Sequence, residues 1–249
     1  MIEVVIGDVH ARADLLRALL DKLGVMDSRG RRQRGWWVVQ VGDLLDRHAA
    51  PAANLRTARV AAGALDVVLA GNHEAAMLRE PASPHGGALA TLAARSWPHA
   101  AAAPGDWLVT HAGVHTEFAR GLPARAGECA EELNDRWHRR SRDAEDPLFD
   151  SVGYARGGGA RHGGILWMHT REWPRGAEAP WGQIAGHVPQ RRPRLLTGRR
   201  WAIDLDGDRL AALVRVRGEA DWHPVVVGSS ARPAPQRGTR SVVPRAAKA

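Results

Sequence analysis

The sequence has few of the features that mark secreted or disulfide-stabilised proteins. Cys129 is the only cysteine among 249 residues, so no disulfide can form within the chain. The start Met1-Ile2-Glu3 lacks the basic and then apolar stretch of a secretory leader. Together these absences favour a reducing, cytoplasmic location. A chain of this length buries about 70% of its unfolded surface in one domain and needs no covalent staple.

Long apolar runs are also absent. The longest candidates, such as residues 36–41, end at Gly-Asp turns. A helix that crosses a bilayer needs about 18 or more consecutive apolar residues. We therefore expect a protein that does not span a membrane.

Acidic residues are missing from the C-terminal segment 228–249, which explains most of the net charge of +8. The rest of the chain contains 30 basic and 27 acidic residues. Gly, Ser, Pro and Ala dominate the segment, which has too little apolar material to offset the entropy cost of ordering it. We predict a catalytic domain over residues 1–227 and a disordered basic tail over residues 228–249. Polyanion binding by this tail stays open as a minor alternative.

Apolar runs that indicate strands alternate with helical patterns along the body of the chain. Residues 3–6 predict a strand, and leucines at helical spacing follow until Gly24. Further strands are predicted at 36–41, 66–70 and 106–110, each running into a polar motif. After residue 182 several short strands indicate a meander that forms a second sheet. The pattern predicts an α/β fold.

Polar motifs at these strand ends suggest a metal site. GDVH spans residues 7–10, GDLLDR spans 42–47, GNHE spans 71–74 and GH spans 186–187. A lone Gly-Asp is common in turns, and Asn72 alone could cap a helix with Glu74 in its first turn. The order of the motifs and their placement at strand ends instead predict two divalent ions. Mixed oxygen and nitrogen ligands suit Mn, Fe or Zn, and such a pair of ions is typical of phosphoester hydrolysis.

The motifs resemble those of the calcineurin-like metallophosphoesterases, and most closely the PPP-type serine/threonine protein phosphatases, including the bacteriophage lambda enzyme. GDVH matches that family's GD.HG, GDLLDR its GD.VDRG, and GNHE is unchanged. THAG and GHVP match two further blocks, and the resemblance runs from Ile6 to about Gly218. It implies a four-layer fold with two mixed β-sheets face to face, flanked by helices.

The resemblance also implies a role for each motif residue. One ion, with Mn favoured and Fe or Zn as alternatives, would be held by Asp8, His10 and Asp43. The other would be held by Asp43, Asn72, His111 and His187, with Asp43 as the bridge. For His111 and His187 the alternative is a buried structural histidine. His73 would act as the general acid, Asp46 would orient it, and Arg47 would bind phosphoryl oxygens.

The second phosphate-binding arginine and the substrate are less closely specified by the resemblance. Arg171 lies four residues after Trp167, where the family has a Trp-x-Arg segment. Arg156, in the Gly-rich loop formed by residues 154–164, is the alternative. Ala11 and His48 replace family glycines, which predicts that the backbone there needs no conformation open only to glycine. The family's Ile-Asp-Thr-Gly block reads Ile203-Asp204-Leu205-Asp206, which leaves the substrate range open.

The resemblance implies hydrolysis of a phosphomonoester by direct attack of metal-bound hydroxide, with phosphoserine or phosphothreonine as the favoured substrate. Phosphoproteins or small phosphoesters would be the partners, nucleic acid and membranes would not, and a monomer is favoured. The main alternative is a diadenosine tetraphosphate hydrolase, whose second motif usually lacks the residue equivalent to Asp46. A silent scaffold that binds polyanions through the basic tail is the remote alternative.

Overall fold

The computed structural model describes residues 1–80, 82–94, 98–140, 146–173, 179–196 and 199–229. Residues 230–249, which make up almost all of the predicted tail, lie outside the described part of the chain. Within the described ranges, no helix is both long and apolar enough to cross a membrane.

Helices and strands alternate along the first half of the chain, and strands dominate its end. The helices are α1 Ala13–Leu23, α2 Pro51–Ala64, α3 Asn72–Arg79, α4 Gly86–Ala93, α5 Thr116–Ala119, α6 Ala126–Arg139 and α7 Pro147–Asp150, with 3-10 turns at Tyr154–Arg156 and Thr170–Glu172. The strands are β1 Ile2–Ile6, β2 Trp36–Gln40, β3 Val67–Val68, β4 Ala101–Ala102, β5 Trp107–Thr110, β6 Gly182–Ala185, β7 Arg194–Leu196, β8 Arg200–Ala202, β9 Arg209–Val216 and β10 His223–Gly228.

Helix α1 shows how local sequence determines an element. Leu16, Leu19 and Leu20 recur at helical spacing and are fully or almost fully buried. Gly24 ends the helix in the left-handed conformation with φ 76°, and its N–H bonds back to the last turn. The predicted stop signal and the observed helix end therefore coincide.

The strands form two mixed five-stranded sheets. The first has the order β10-β9-β1-β2-β3, in which β1, β2 and β3 are parallel and β9 is antiparallel to β1. The second has the order β4-β5-β6-β8-β7, in which β5, β6 and β8 are parallel. Loops after the parallel strands of one sheet therefore emerge at the same edge of that sheet.

The two sheets pack face to face, and helices cover their outer faces. Alternate residues of β1 point to opposite sides, so Val5 joins an apolar cluster with Val109 and Ile184 of the second sheet. Val4 joins the cluster that α1 and α2 form on the outer face. Leu108 of β5 joins a third cluster with α6. This arrangement confirms the predicted four-layer α/β fold.

The closing strands depart from the predicted meander. β6, β7 and β8 do belong to the second sheet, but β9 and β10 return to the first sheet. β9 pairs with β1 along its length, from Ile2 opposite Val216 to Ile6 opposite Ala212. The prediction was wrong at this point because the partner of a strand depends on long-range pairing, which its local pattern does not encode.

Candidate metal centre

The loops that follow five strands bring the predicted ligands together at one edge of the two sheets. Asp8 follows β1, Asp43 follows β2, Asn72 begins α3 after β3, His111 follows β5 and His187 follows β6. These five side chains are buried, with at most 6% exposure, and His10 is half-buried. Ligand candidates from both sheets therefore share one buried region.

His111 lies at the centre of one group of ligand candidates. Its Nε2 is 3.1 Å from Asn72 Oδ1 and 3.1 Å from His187 Nδ1. It is also 3.5 Å from Asp43 Oδ2. Its Nδ1 lies 3.2 Å from the Val41 carbonyl oxygen, to which it donates, so that Nε2 carries the lone pair. Two donors at about 2.1 Å from one ion and at a right angle lie about 3 Å apart, so this spacing suits a shared cation.

A second group consists of Asp8, His10 and Asp43. One ligand atom from each of these residues lies within 4.8 Å of the others. His10 Nε2 is 4.0 Å from Asp8 Oδ2. Asp43 also belongs to the group with His111 and His187. A residue common to both groups is the natural candidate for a bridge between two ions.

The electrostatics of the region favour bound cations. Burial raises the pKa of Asp8 well above its usual value, and the nearby Asp204 raises it further. The pKa of Asp43 is also raised well above its usual value by burial and by Glu74. Burial lowers the pKa of His111 to about 3, so this ring is neutral and can act as a ligand. Divalent ions would compensate the buried negative charge and occupy the converging lone pairs.

Among the described residues, His10 Nδ1 and His187 Nε2 are buried without a hydrogen-bond partner. In each ring the other nitrogen faces a ligand candidate, since His10 Nε2 is 4.0 Å from Asp8 and His187 Nδ1 is 3.1 Å from His111. The converging donor atoms and the buried negative charge fit a pair of divalent ions.

Glu74 holds the two motif loops together, a role that its place in the sequence does not reveal. Its carboxylate accepts backbone N–H groups from Asp43 and Gly71 at 2.9 Å and from Leu45 at 2.7 Å. Burial raises the pKa of Glu74 to about 7, although these three N–H groups act in the opposite direction. The first-turn position in α3 was visible in the sequence, but two of the three partners, Asp43 and Leu45, lie about thirty residues away in another loop.

Two glycines give the carboxylates their room. A side chain at Gly71 would overlap the Asp43 carboxylate, and one at Gly186 would overlap that of Asp8. The carboxylate of Asp8 also accepts the backbone N–H of His187 at 3.0 Å. The glycines of GNHE and GH are therefore required by close approach.

Several non-glycine residues of the loops adopt the left-handed backbone conformation. The φ angles are 47° at His10, 58° at Ala11, 51° at Asp43 and 67° at His187. This region costs about 1–2 kcal/mol per residue but is open to side chains. Ala11 thus keeps the conformation that favours glycine, and His48 does not adopt it. Strain of this kind is concentrated at functional loops.

His73 lies beside the ligand groups and is held from two directions. Its Nδ1 is 3.1 Å from Asp46 Oδ1, and its backbone N–H donates to Asp43 Oδ1 at 2.9 Å. Burial lowers the pKa of His73, whereas Asp46 raises it in part. The Asp46 contact therefore fixes the ring and favours its protonated form, as a general acid requires.

Arg47 is hydrogen-bonded to His48, the residue that stands where the family has a glycine. Arg47 Nε donates to His48 Nε2 at 3.0 Å. The His48 ring also meets the His73 ring edge-on, with centroids 5.8 Å apart. His48 therefore positions an exposed guanidinium beside the candidate acid.

The two candidates for a second arginine differ in their electrostatic effect on the centre. Burial lowers the pKa of His111 and His187, and the Arg156 guanidinium lowers it further; burial raises the pKa of Asp204, which Arg156 opposes in part. The neighbouring Arg171 acts on His169, where Arg156 also acts. Arg156 therefore has an electrostatic influence on the buried groups of the centre, and Arg156 and Arg171 both stay predictions for the second phosphate-binding arginine.

Comparison with known proteins gives a family match and several solved structures. The family model described as calcineurin-like phosphoesterase matches residues 4–228. A candidate diadenosine tetraphosphatase shares 19% identity and a TM-score of 0.54, covering 91% of this chain and 92% of its own. A cold-active protein tyrosine phosphatase shares 22% identity and a TM-score of 0.57, with 86% and 73% coverage. No curated protein matches the chain.

A protein serine/threonine phosphatase from Saccharomyces cerevisiae shares 14% identity and a TM-score of 0.55. The match covers 94% of this chain and 81% of that one. At these identities the solved structures establish the common fold, while their substrates differ from one to the next.

Proposed function

Because the chain belongs to the calcineurin-like phosphoesterase family, we propose that this metal-dependent phosphoesterase hydrolyses phosphomonoesters, with phosphoserine or phosphothreonine as the substrate class. The contact between His73 and Asp46, beside the converged ligand groups, carries the proposal. Two divalent ions, with manganese as the proposed native metal, would be held by Asp8, His10, Asp43, Asn72, His111 and His187.

Each part of the site has a proposed task. Bound divalent ions supply positive charge for the phosphoryl group and activate water near neutral pH. His73 engages Asp46 through Nδ1, which leaves Nε2 to donate a proton to the departing alkoxide oxygen. Arg47 and Arg156 offer guanidinium groups for the phosphoryl oxygens. Residues 1–227 form the proposed catalytic domain.

A diadenosine tetraphosphate hydrolase is the second candidate function. It is supported by the structural neighbour of that description, which the match covers almost completely. The Asp46–His73 contact favours the monoesterase instead, because an alkoxide is a poor leaving group and needs a proton, whereas a nucleotide phosphate does not. A catalytically silent scaffold is not supported, because the proposed metal ligands lie close together as a metal-dependent enzyme would require.

The substrate class can be tested with the manganese-loaded full chain. Phosphate release from a phosphothreonine peptide is measured in parallel with cleavage of diadenosine tetraphosphate, each with and without a chelator. We expect chelator-sensitive release from the peptide. An Asp43→Asn preparation made in the same way controls for contaminating phosphatase. Cleavage of the dinucleotide alone would replace the proposal with the second candidate.

Replacement of each arginine tests the assignment of Arg156. We expect Arg156→Ala to lower kcat/KM about 10- to 100-fold, because a charge-assisted hydrogen bond contributes roughly 1.5–3 kcal/mol. Arg171→Ala is the matched control, because both side chains are exposed, and it should stay within about twofold of wild type if Arg156 is the phosphate-binding residue. Steady-state kinetics on one peptide compare the two. The opposite order of effects would return the role to Arg171.

A further inference from the structure

A separate group of side chains that could bind a metal lies outside the candidate centre. It consists of His115 directly before α5, Glu117 in the first turn of α5, and His162 in the Gly-rich loop. One ligand atom from each residue lies within 4.8 Å of the others. None of the three belongs to the six proposed ligands, and the proposed reaction uses none of them.

The carboxylate of Glu117 and the imidazole of His162 are close without forming a hydrogen bond. Glu117 Oε2 is 3.5 Å from His162 Nε2, which is buried and has no hydrogen-bond partner among the described residues. The other oxygen, Glu117 Oε1, is 3.6 Å from Arg161. Two ligands of one tetrahedral ion, each about 2.1 Å from it, lie about 3.4 Å apart. The gap suits a shared ion better than a direct contact.

The two imidazoles lie face to face. His115 and His162 stack with centroids 3.6 Å apart and planes 14° apart. Two protonated rings at this distance would repel, and burial together with His162 lowers the pKa of His115. The Nδ1 lone pair of His115 points toward Glu117, whose backbone N–H it accepts at 3.2 Å. Because the stacked rings are nearly parallel, their in-plane lone pairs cannot both point at one ion, so the His115 ring would turn out of the stack and give up this long contact when the ion binds.

We propose that His115, Glu117 and His162 form a third divalent-ion site, of the kind that two imidazoles and one carboxylate provide for Zn²⁺. The side chain of Glu117 is 48% exposed and that of His162 is 19% exposed. Solvent can therefore reach the ion and supply its fourth ligand. The binding of this ion does not depend on the proposed phosphatase function.

The ion would fasten the Gly-rich loop to the segment that carries His111. His115 follows His111 on the same strand-end segment, and His162 lies on the loop that bears Arg156. The Glu172 carboxylate accepts the backbone N–H of Gly163 at 2.8 Å and so holds that end of the loop on one side, while the His115–His162 stack and the Arg161–Glu117 ion pair contact it on the other. A third ion would hold the same end from the other side and fix the distance from Arg156 to the centre. This consequence, unlike the binding itself, rests on the proposed function.

Zinc content of the full chain tests the site. Wild type and variants are stripped with a chelator, equilibrated with Zn²⁺ and analysed by mass spectrometry for ions per chain. We expect His162→Ala and the closely isosteric Glu117→Gln each to bind one ion fewer than wild type. The zinc affinity of that step should fall about 100-fold or more, beyond the 10- to 100-fold effect of an outer-shell change. Circular dichroism verifies that both variants fold.

Two further variants separate this site from the candidate centre. His223→Ala removes an exposed histidine of β10 and should leave the ion count unchanged. His187→Ala should bind fewer ions at the candidate centre but should keep the zinc-binding step that His162→Ala removes. If both the His162 and Glu117 variants bind as many ions as wild type, the third site does not exist. A wild type that binds the third ion but hydrolyses no phosphoester would support the site and remove the proposed function.

Discussion

Asp43→Asn should abolish turnover and reduce the metal content of the purified protein. Asp43 is the residue shared by both groups of ligand candidates, and its Oδ1 also accepts the His73 backbone N–H. An amide keeps the shape of the side chain but removes the negative charge needed to bridge two cations. We expect kcat to fall more than about 1,000-fold, because the loss of a single oxyanion-stabilising group already costs 100- to 1,000-fold.

Metal analysis and initial rates on one phosphopeptide measure both effects in the same preparation. Asp14→Asn is the matched control, since Asp14 is an exposed acid on α1 and should be silent. The metal-free Asp43→Asn protein should unfold no more readily than metal-free wild type, because it removes one member of a repelling buried acid cluster. An active variant that retains all its metal would refute the bridging assignment.

His73→Asn should retain its metals and lose most of kcat on substrates with poor leaving groups. General acid catalysis is worth about 100- to 10,000-fold, and it matters most when the departing oxygen cannot carry negative charge. The loss of kcat should therefore be much smaller for an aryl phosphate, which has a stable phenolate leaving group, than for an alkyl phosphate. The ratio of the rates on alkyl and aryl phosphates, rather than either rate alone, measures how much proton donation to the leaving group contributes.

Asp46→Asn provides the comparison for this experiment. It leaves the His73 imidazole in place but removes the carboxylate partner at 3.1 Å, so its defect should be smaller and should show the same dependence on leaving group. If His73→Asn slows aryl and alkyl phosphates equally, His73 is not the acid. Loss of metal from this variant would instead indicate a ligand role.

The sequence predicts most of the fold that depends on local signals. The leucine spacing of α1, the stop at Gly24 and the strands that run into Gly-Asp turns all have local physical causes. The helix α4 was not predicted, because Gly86 and Gly87 at its start are poor helix formers and no side chain caps it. The pairing of β9 with β1 joins the two ends of the chain and depends on global packing.

The same distinction holds for the candidate site. Ligand candidates were identifiable because each stands in a short motif at the end of a strand. The role of Glu74 depends on which loop packs against α3, and that of His48 depends on the direction in which Arg47 turns. The choice between Arg156 and Arg171 depends on the path of the Gly-rich loop. None of these contacts follows from spacing along the chain.

The origin of the ligands in two sheets links metal binding to folding. Asp8, Asp43 and Asn72 extend from the first sheet, whereas His111 and His187 extend from the second. The set Asp8, His10 and Asp43 lies wholly on the first sheet, but the set Asp43, Asn72, His111 and His187 draws on both sheets. The ion proposed for the second set would therefore bind with all its ligands only after the sheets have docked. A ligand that binds only the native state stabilises it by about 2.7 kcal/mol at 100 times its Kd. The ion held from both sheets would thus also act as a reversible cross-link, and a shortage of metal would weaken the sheet interface as well as the catalyst.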